Sequence, residues 1–105
     1  MAEGLKDRIM AATKKRVRGG MVLVGEERFA VEFRVYPAAE IEDITKRIRE
    51  SDNATGAAIL AEQILDPADH RPVFTGEEIE AMPNVDMVAL LNAFMRANLG
   101  GASKN

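Results

Sequence analysis

The spacing of apolar residues changes twice along the chain, and each change marks a new kind of element. Residues 5–17 place Leu5, Ile9, Ala12 and Thr13 on one side of a helix, with Arg8, Lys14, Lys15 and Arg18 on the other. Gly19-Gly20 suits the end of that helix, because glycine adopts the left-handed C-terminal conformation without a steric cost. From residue 21 the period shortens to two. Met21-Val22-Leu23-Val24, the polar segment Gly25-Glu26-Glu27-Arg28 and the run from Phe29 to Tyr36 read as a β-hairpin over residues 21–36. Phe29, Val31, Phe33 and Val35 alternate with Arg28, Ala30, Glu32 and Arg34, which predicts one buried and one wet face. Two strands alone are marginal in water, so the apolar face calls for helices over it or another copy's strands beside it.

Helical spacing then returns over residues 38–99. Pro37 suits a first helical position, and Ile41, Ile44 and Ile48 share a face of the helix that follows. Glu42 with Lys46 and Asp43 with Arg47 are acid-before-base pairs four apart, each adding a few tenths of a kcal/mol. Ser51-Asp52-Asn53 breaks the pattern and offers an N-cap for a helix over residues 54–65, with Ala57, Leu60, Ala61 and Ile64 on its stripe and Gly56 weakening it. Two prolines and two aspartates stop helix over residues 66–72; Val73-Phe74 re-enters the core. Thr75-Gly76-Glu77-Glu78 has the spacing of a capping box, and the short helix it opens turns Ile79 and Met82 inward.

Pro83-Asn84 breaks that helix, and Asn84 can cap a last one over residues 85–99. Leu90, Phe94, Met87, Leu91, Met95, Val88 and Leu99 span about 180° of its circumference, against Asp86, Asn92, Arg96 and three alanines. That is more than the roughly 100° a surface helix buries, so the helix is either central or interfacial along one flank. Leu90, Phe94 and Leu91 read first as core, whereas the flexible thioethers of Met87 and Met95 suit an adaptable contact. Met87, Leu91, Met95 and Phe74 form the candidate partner-binding set. After Gly100-Gly101 the tail over residues 100–105 is expected to fray. The pattern predicts one α+β domain over residues 1–105: a β-hairpin packed with four to five helices, the C-terminal half mostly helical.

Composition narrows the function. A chain of 105 residues with 47% hydrophobic and 30% charged residues can bury a core and does not resemble a disordered one. The absence of Cys excludes disulfides, thiolate metal sites and cysteine nucleophiles. No apolar run approaches the roughly 18 residues of a membrane span, and a signal-peptide pattern is missing, so a cytoplasmic protein with no membrane partner is expected. The net charge of −3 is divided: residues 1–18 hold six basic residues against two acidic ones, and the remainder is acidic. A basic end on an acidic body suggests head-to-tail self-association or an anionic partner, with Arg8, Lys14, Lys15 and Arg18 as candidates; a solvated helix face explains the same pattern. The acidic total, the inward alternation of aromatics and the single Tyr36 argue against nucleic acid.

The search for chemistry returns no catalytic, metal or cofactor residue. His70 is the sole histidine, and with Asp66 and Asp69 it reads better as a solvated turn than as a metal site. Neither glycine pair precedes the Lys-Ser/Thr of a phosphate loop.

From Ala57 onward the chain resembles the tail assembly chaperones of long-tailed, siphovirus-type bacteriophages. The resemblance rests on an alanine-rich apolar helix over residues 57–65, the acidic turn Asp66-Pro67-Ala68-Asp69, the step Pro72-Val73-Phe74, the capped acidic helix from Thr75 to Ile79, and a Leu-rich helix closing on Asn98-Leu99-Gly100. The strand with Val31, Phe33 and Val35, followed by Pro37-Ala38-Ala39-Glu40, looks like the family's N-terminal half. His70-Arg71 stands where the family's turn usually carries glycine, and the basic helix before Gly19 has no counterpart. The resemblance implies a non-catalytic oligomer, here the short form. Such a protein would bind and solubilise the tape measure protein in the host cytoplasm, and reach the tail tube protein through a longer frameshifted form. It is not expected in the mature virion. Two other readings stay open: a ring-forming phage connector or other oligomeric interaction module, and a small nucleic-acid-binding regulator using the basic helix.

Overall fold

The computed structural model describes residues 4–13 and 16–99. Among them the fold is α+β, a three-stranded antiparallel sheet with five helices, the C-terminal half mostly helical. Helix α1 (Leu5–Thr13) precedes strands β1 (Val17–Val24) and β2 (Glu27–Arg34); α2 (Ala38–Glu50) and α3 (Asn53–Gln63) follow. A two-residue β3 (Ile64–Leu65), α4 (Gly76–Ala81) and α5 (Asn84–Leu99) complete the chain.

The first helix is shorter than its sequence pattern predicts and the first strand is longer. Gly19-Gly20 lies inside β1, and Arg18 is a strand residue paired with Phe33. The reason is steric: Gly20 lies opposite Val31, and a Cβ there would stand 3.0 Å from Cε2 of Phe33, so the bare backbone lets the aromatic ring pass. The expected helix residues Lys14 and Lys15, and the expected frayed tail, lie outside the described residues. The hairpin closes on two residues, not four. Gly25 and Glu26 have φ of 60° and 87°, the signs of a type I′ turn, whose twist matches that of the flanking strands.

Ile64-Leu65, expected at the end of a helix, instead leaves α3 to pair with Phe33 and Glu32 as a third strand. Leu65 also bridges to Pro72, which closes the intervening turn. Three of the fully buried large side chains, Phe33, Ile64 and Leu65, come from this junction. Phe33 meets Phe94 of α5 with ring centroids 6.3 Å apart and planes inclined by 47°, while Leu60, Ile79 and Leu90 fill the surrounding space. Each such side chain contributes about 1.5–3 kcal/mol by leaving water.

Local signals hold the helices in place. Asp52 caps α3 by accepting from the Thr55 amide at 2.7 Å. Thr75 and Glu78 form the reciprocal capping box of α4. Asp43 and Arg47 close an exposed pair at 3.1 Å, which stabilises little. Asn84 is the first residue of α5, and the amides of Asp86 and Met87 both bond the Pro83 carbonyl.

Candidate interaction surface

Helix α5 packs chiefly against β1, and it does so through alanine. Ala93 is buried beside Leu90 and Phe94, and Ala97 packs against the same core. Apolar counting assigns those alanines to the wet side. Their burial rotates α5 relative to that expectation and leaves Val85 (72% exposed), Val88 (39%) and Leu99 (63%) on the surface. Met87 and Leu91 are half-buried against the core. Met95 is also half-buried, its Sδ 3.3 Å from the Arg49 guanidinium of α2. Positions 87, 91 and 95 thus form a ridge one turn apart that borders the open stripe of Val88 and Leu99. Phe74 sits on the segment leading into α4, half-buried against the core. Val85, Val88 and Leu99 escape the candidate set because sequence spacing cannot show that a strand accepts alanine as its neighbour.

At its C-terminal end α5 is clasped to the sheet. Asn98 Oδ1 accepts from the Tyr36 amide at 2.8 Å, and its Nδ2 donates to the Arg34 carbonyl at 3.0 Å. A side-chain amide thereby replaces a strand residue at the end of β2. The Tyr36 hydroxyl donates to Oε1 of the buried Gln63, whose Nε2 donates to the Ile59 carbonyl at 2.9 Å. Burial pushes the Tyr36 phenol above its ordinary pKa, with the Arg34 charge acting in the opposite sense. Arg18 donates to the Ala97 carbonyl at 3.3 Å, where a cation complements the negative end of the helix dipole.

Around this clasp the surface is concave. A groove of about 660 Å³ runs between α1, the base of the hairpin and the end of α5, with Met10, Arg16, Val17, Val35 and Tyr36 in its walls. A shallower hollow of about 280 Å³ lies between residues 19–21 and Ala93, Arg96 and Ala97. Arg18 and Ala97 line both, so two of the chain's basic residues, Arg16 and Arg18, meet an apolar floor here. Arg8 is exposed on α1, whose Leu5 and Ile9 are likewise 70% and 53% exposed. On the expected inward side of this helix Leu5 and Ile9 are therefore largely open, while Ala12 lines the groove.

The acidic turn is held by its own side chains. Asp66 accepts from the Ala68 amide and Asp69 from the Arg71 amide, while His70, at φ 61°, places Nδ1 2.6 Å from Glu32 Oε1 of β2. His70 takes the left-handed position that glycine commonly fills. No group of three His, Cys, Asp or Glu residues among those described could hold a metal ion. No helix among them is long and apolar enough to cross a membrane. Comparison with family models, curated proteins and solved structures finds no match to the chain.

Proposed function

We propose that the protein is a non-catalytic phage tail assembly chaperone that keeps an apolar helical client, the tape measure protein, soluble until tail tube subunits gather around it. The observation that carries this reading is the open apolar stripe of α5, Val85, Val88 and Leu99 beside the half-buried Met95 and Leu91. An amphipathic client helix lays its apolar face on such a stripe, and several weak sites acting together hold a long client by multivalency. The sequence resemblance, from the alanine-rich α3 through the capped α4 to α5, supports the same reading. It assigns the work to the host cytoplasm, with the tail tube protein reached through a longer frameshifted form.

Co-expression with the tape measure protein tests it. Val88→Asp with Leu99→Asp changes two exposed side chains and leaves the core intact, so the chaperone should stay folded while the client moves to the insoluble fraction. Unchanged soluble client would reject the α5 surface and the function with it. A salt-sensitive shift of labelled DNA by the wild-type chain would instead favour a nucleic-acid regulator acting through Arg8, Arg16 and Arg18.

A further inference from the structure

Strand β1 is an edge of the sheet, eight residues long, with no proline and no acidic residue. The amide of Val35 donates to the Arg16 carbonyl at 2.8 Å, which makes residue 16 a hydrogen-bonded position of the antiparallel ladder. Alternation then turns the backbone groups of Arg18, Gly20, Val22 and Val24 toward β2 and those of Val17, Gly19, Met21 and Leu23 outward. No hydrogen bond among the described residues uses the outward set. Natural edges are usually guarded by lysine, proline or a bulge, and residues 19–24 have none of these. Met21 and Leu23 add 53% and 56% exposed side chains on the sheet face opposite the buried Val22.

We propose that the partner of this edge is β1 of a second copy, joined antiparallel about a two-fold axis at Met21 to give a continuous six-stranded sheet. Charge selects that occupant. Arg16 and Arg18 flank the start of the strand and Glu26 lies in the turn that ends it, so antiparallel self-pairing sets each basic start against the other copy's acidic end. A two-fold axis at Met21 joins outward positions only, Met21 to Met21 once and Gly19 to Leu23 twice, and brings Arg16 of each copy beside the turn that carries the other's Glu26. Shape agrees with charge. A Cβ at Gly19 would meet nothing within 4 Å, so the space over Gly19 is open to the Leu23 side chain of the second copy. The pairing does not depend on which client, if any, the protein holds.

Sedimentation equilibrium of the full chain should give twice the 11.5 kDa chain mass. Met21→Pro removes an outward amide without breaking the ladder to β2, and should leave a folded monomer by circular dichroism. Arg16→Glu and Glu26→Arg should each weaken the dimer about ten-fold at low salt by setting like charges opposite each other twice. An equimolar mixture of these two variants should recover wild-type affinity, because the acidic start of one then meets the basic end of the other. That recovery also guards against a variant that merely misfolds. Wild-type chain that stays monomeric, a dimer indifferent to Met21→Pro and both charge reversals, or a mixture that fails to recover would overturn the pairing. So would a monomer that instead takes an extended foreign peptide along β1.

Discussion

Gly56 sets two effects of opposite sign against each other, and the geometry decides between them. It lies in the first half of α3, where alanine would favour the helix by about 1 kcal/mol over glycine. Yet an ideal Cβ at Gly56 would stand 2.6 Å from the Ile48 carbonyl oxygen of α2, with the Ile48 carbonyl carbon at 3.5 Å. A carbon and a carbonyl oxygen rest no closer than about 3.3 Å, so α2 and α3 must part by roughly 0.7 Å. The obstacle is backbone and has no rotamer to yield. The separation also loosens Ile41 and Ile48 from Ala57 and Leu60, which share the core. Overpacking of this kind costs about 1–3 kcal/mol, and a rigid backbone clash belongs at the upper end, so Gly56→Ala should destabilise the protein by about 2 kcal/mol net. With a urea slope of about 1–2 kcal/mol per molar, the midpoint falls by roughly 1–2 M at unchanged slope. A midpoint equal to or above that of the wild type would mean that helix propensity wins and that the two helices do not meet at Ile48.

Three further outcomes are expected. Glu26 holds a left-handed φ of 87° that glycine takes without strain, so Glu26→Gly should raise stability by about 1 kcal/mol, read as a higher urea midpoint. Asn98→Ala removes partners from the Tyr36 amide and the Arg34 carbonyl at once and should cost about 2–3 kcal/mol in the same assay. Asp52 has its carboxyl pKa lowered by the Thr55 amide it caps, so its contribution is complete above the ordinary aspartate value near 3.9 and is lost as pH falls through the lower folded value. Asp52→Asn keeps a cap but cannot titrate; the acid limb of its stability profile should be flatter than that of the wild type, and superimposable limbs would contradict the assignment.

Much of the fold is legible in the residues because the signals are local. The capping box at Thr75 and Glu78, the alternation ending in Val31 and Phe33, and the apolar stripe of Leu60 and Ala61 depend on neighbours a few positions away. Where the reading fails, the deciding partner is distant in sequence. Gly19-Gly20 has the composition of a helix end, and the Phe33 ring makes it strand. Ile64-Leu65 continues a helical stripe, but pairing with Glu32 and Phe33 pulls it into the sheet. In α5 the buried alanines face β1, so the open flank falls on Val85, Val88 and Leu99, one step beyond the methionine ridge. Phe29 follows the inward alternation and still remains 44% exposed, although Val22, directly opposite it on β1, is buried. Gly56 reads as a flaw in a helix until the Ile48 carbonyl explains it.

The Asn98 clasp has a consequence for how the molecule opens. Most amides at the mouth of a hairpin exchange with solvent by local fraying, since the strand that binds them is only a few residues away. The Tyr36 amide is bound instead by a side chain 62 positions later, so an opening that exposes it must also release the last turn of α5. Phe94 lies one turn earlier on that helix, with Leu90 and Ala93 beside it in the core. Solvent reaches the Tyr36 amide only when that turn lets go, which makes its hydrogen exchange a reporter of how firmly the end of α5 is held, read just past the end of the central strand.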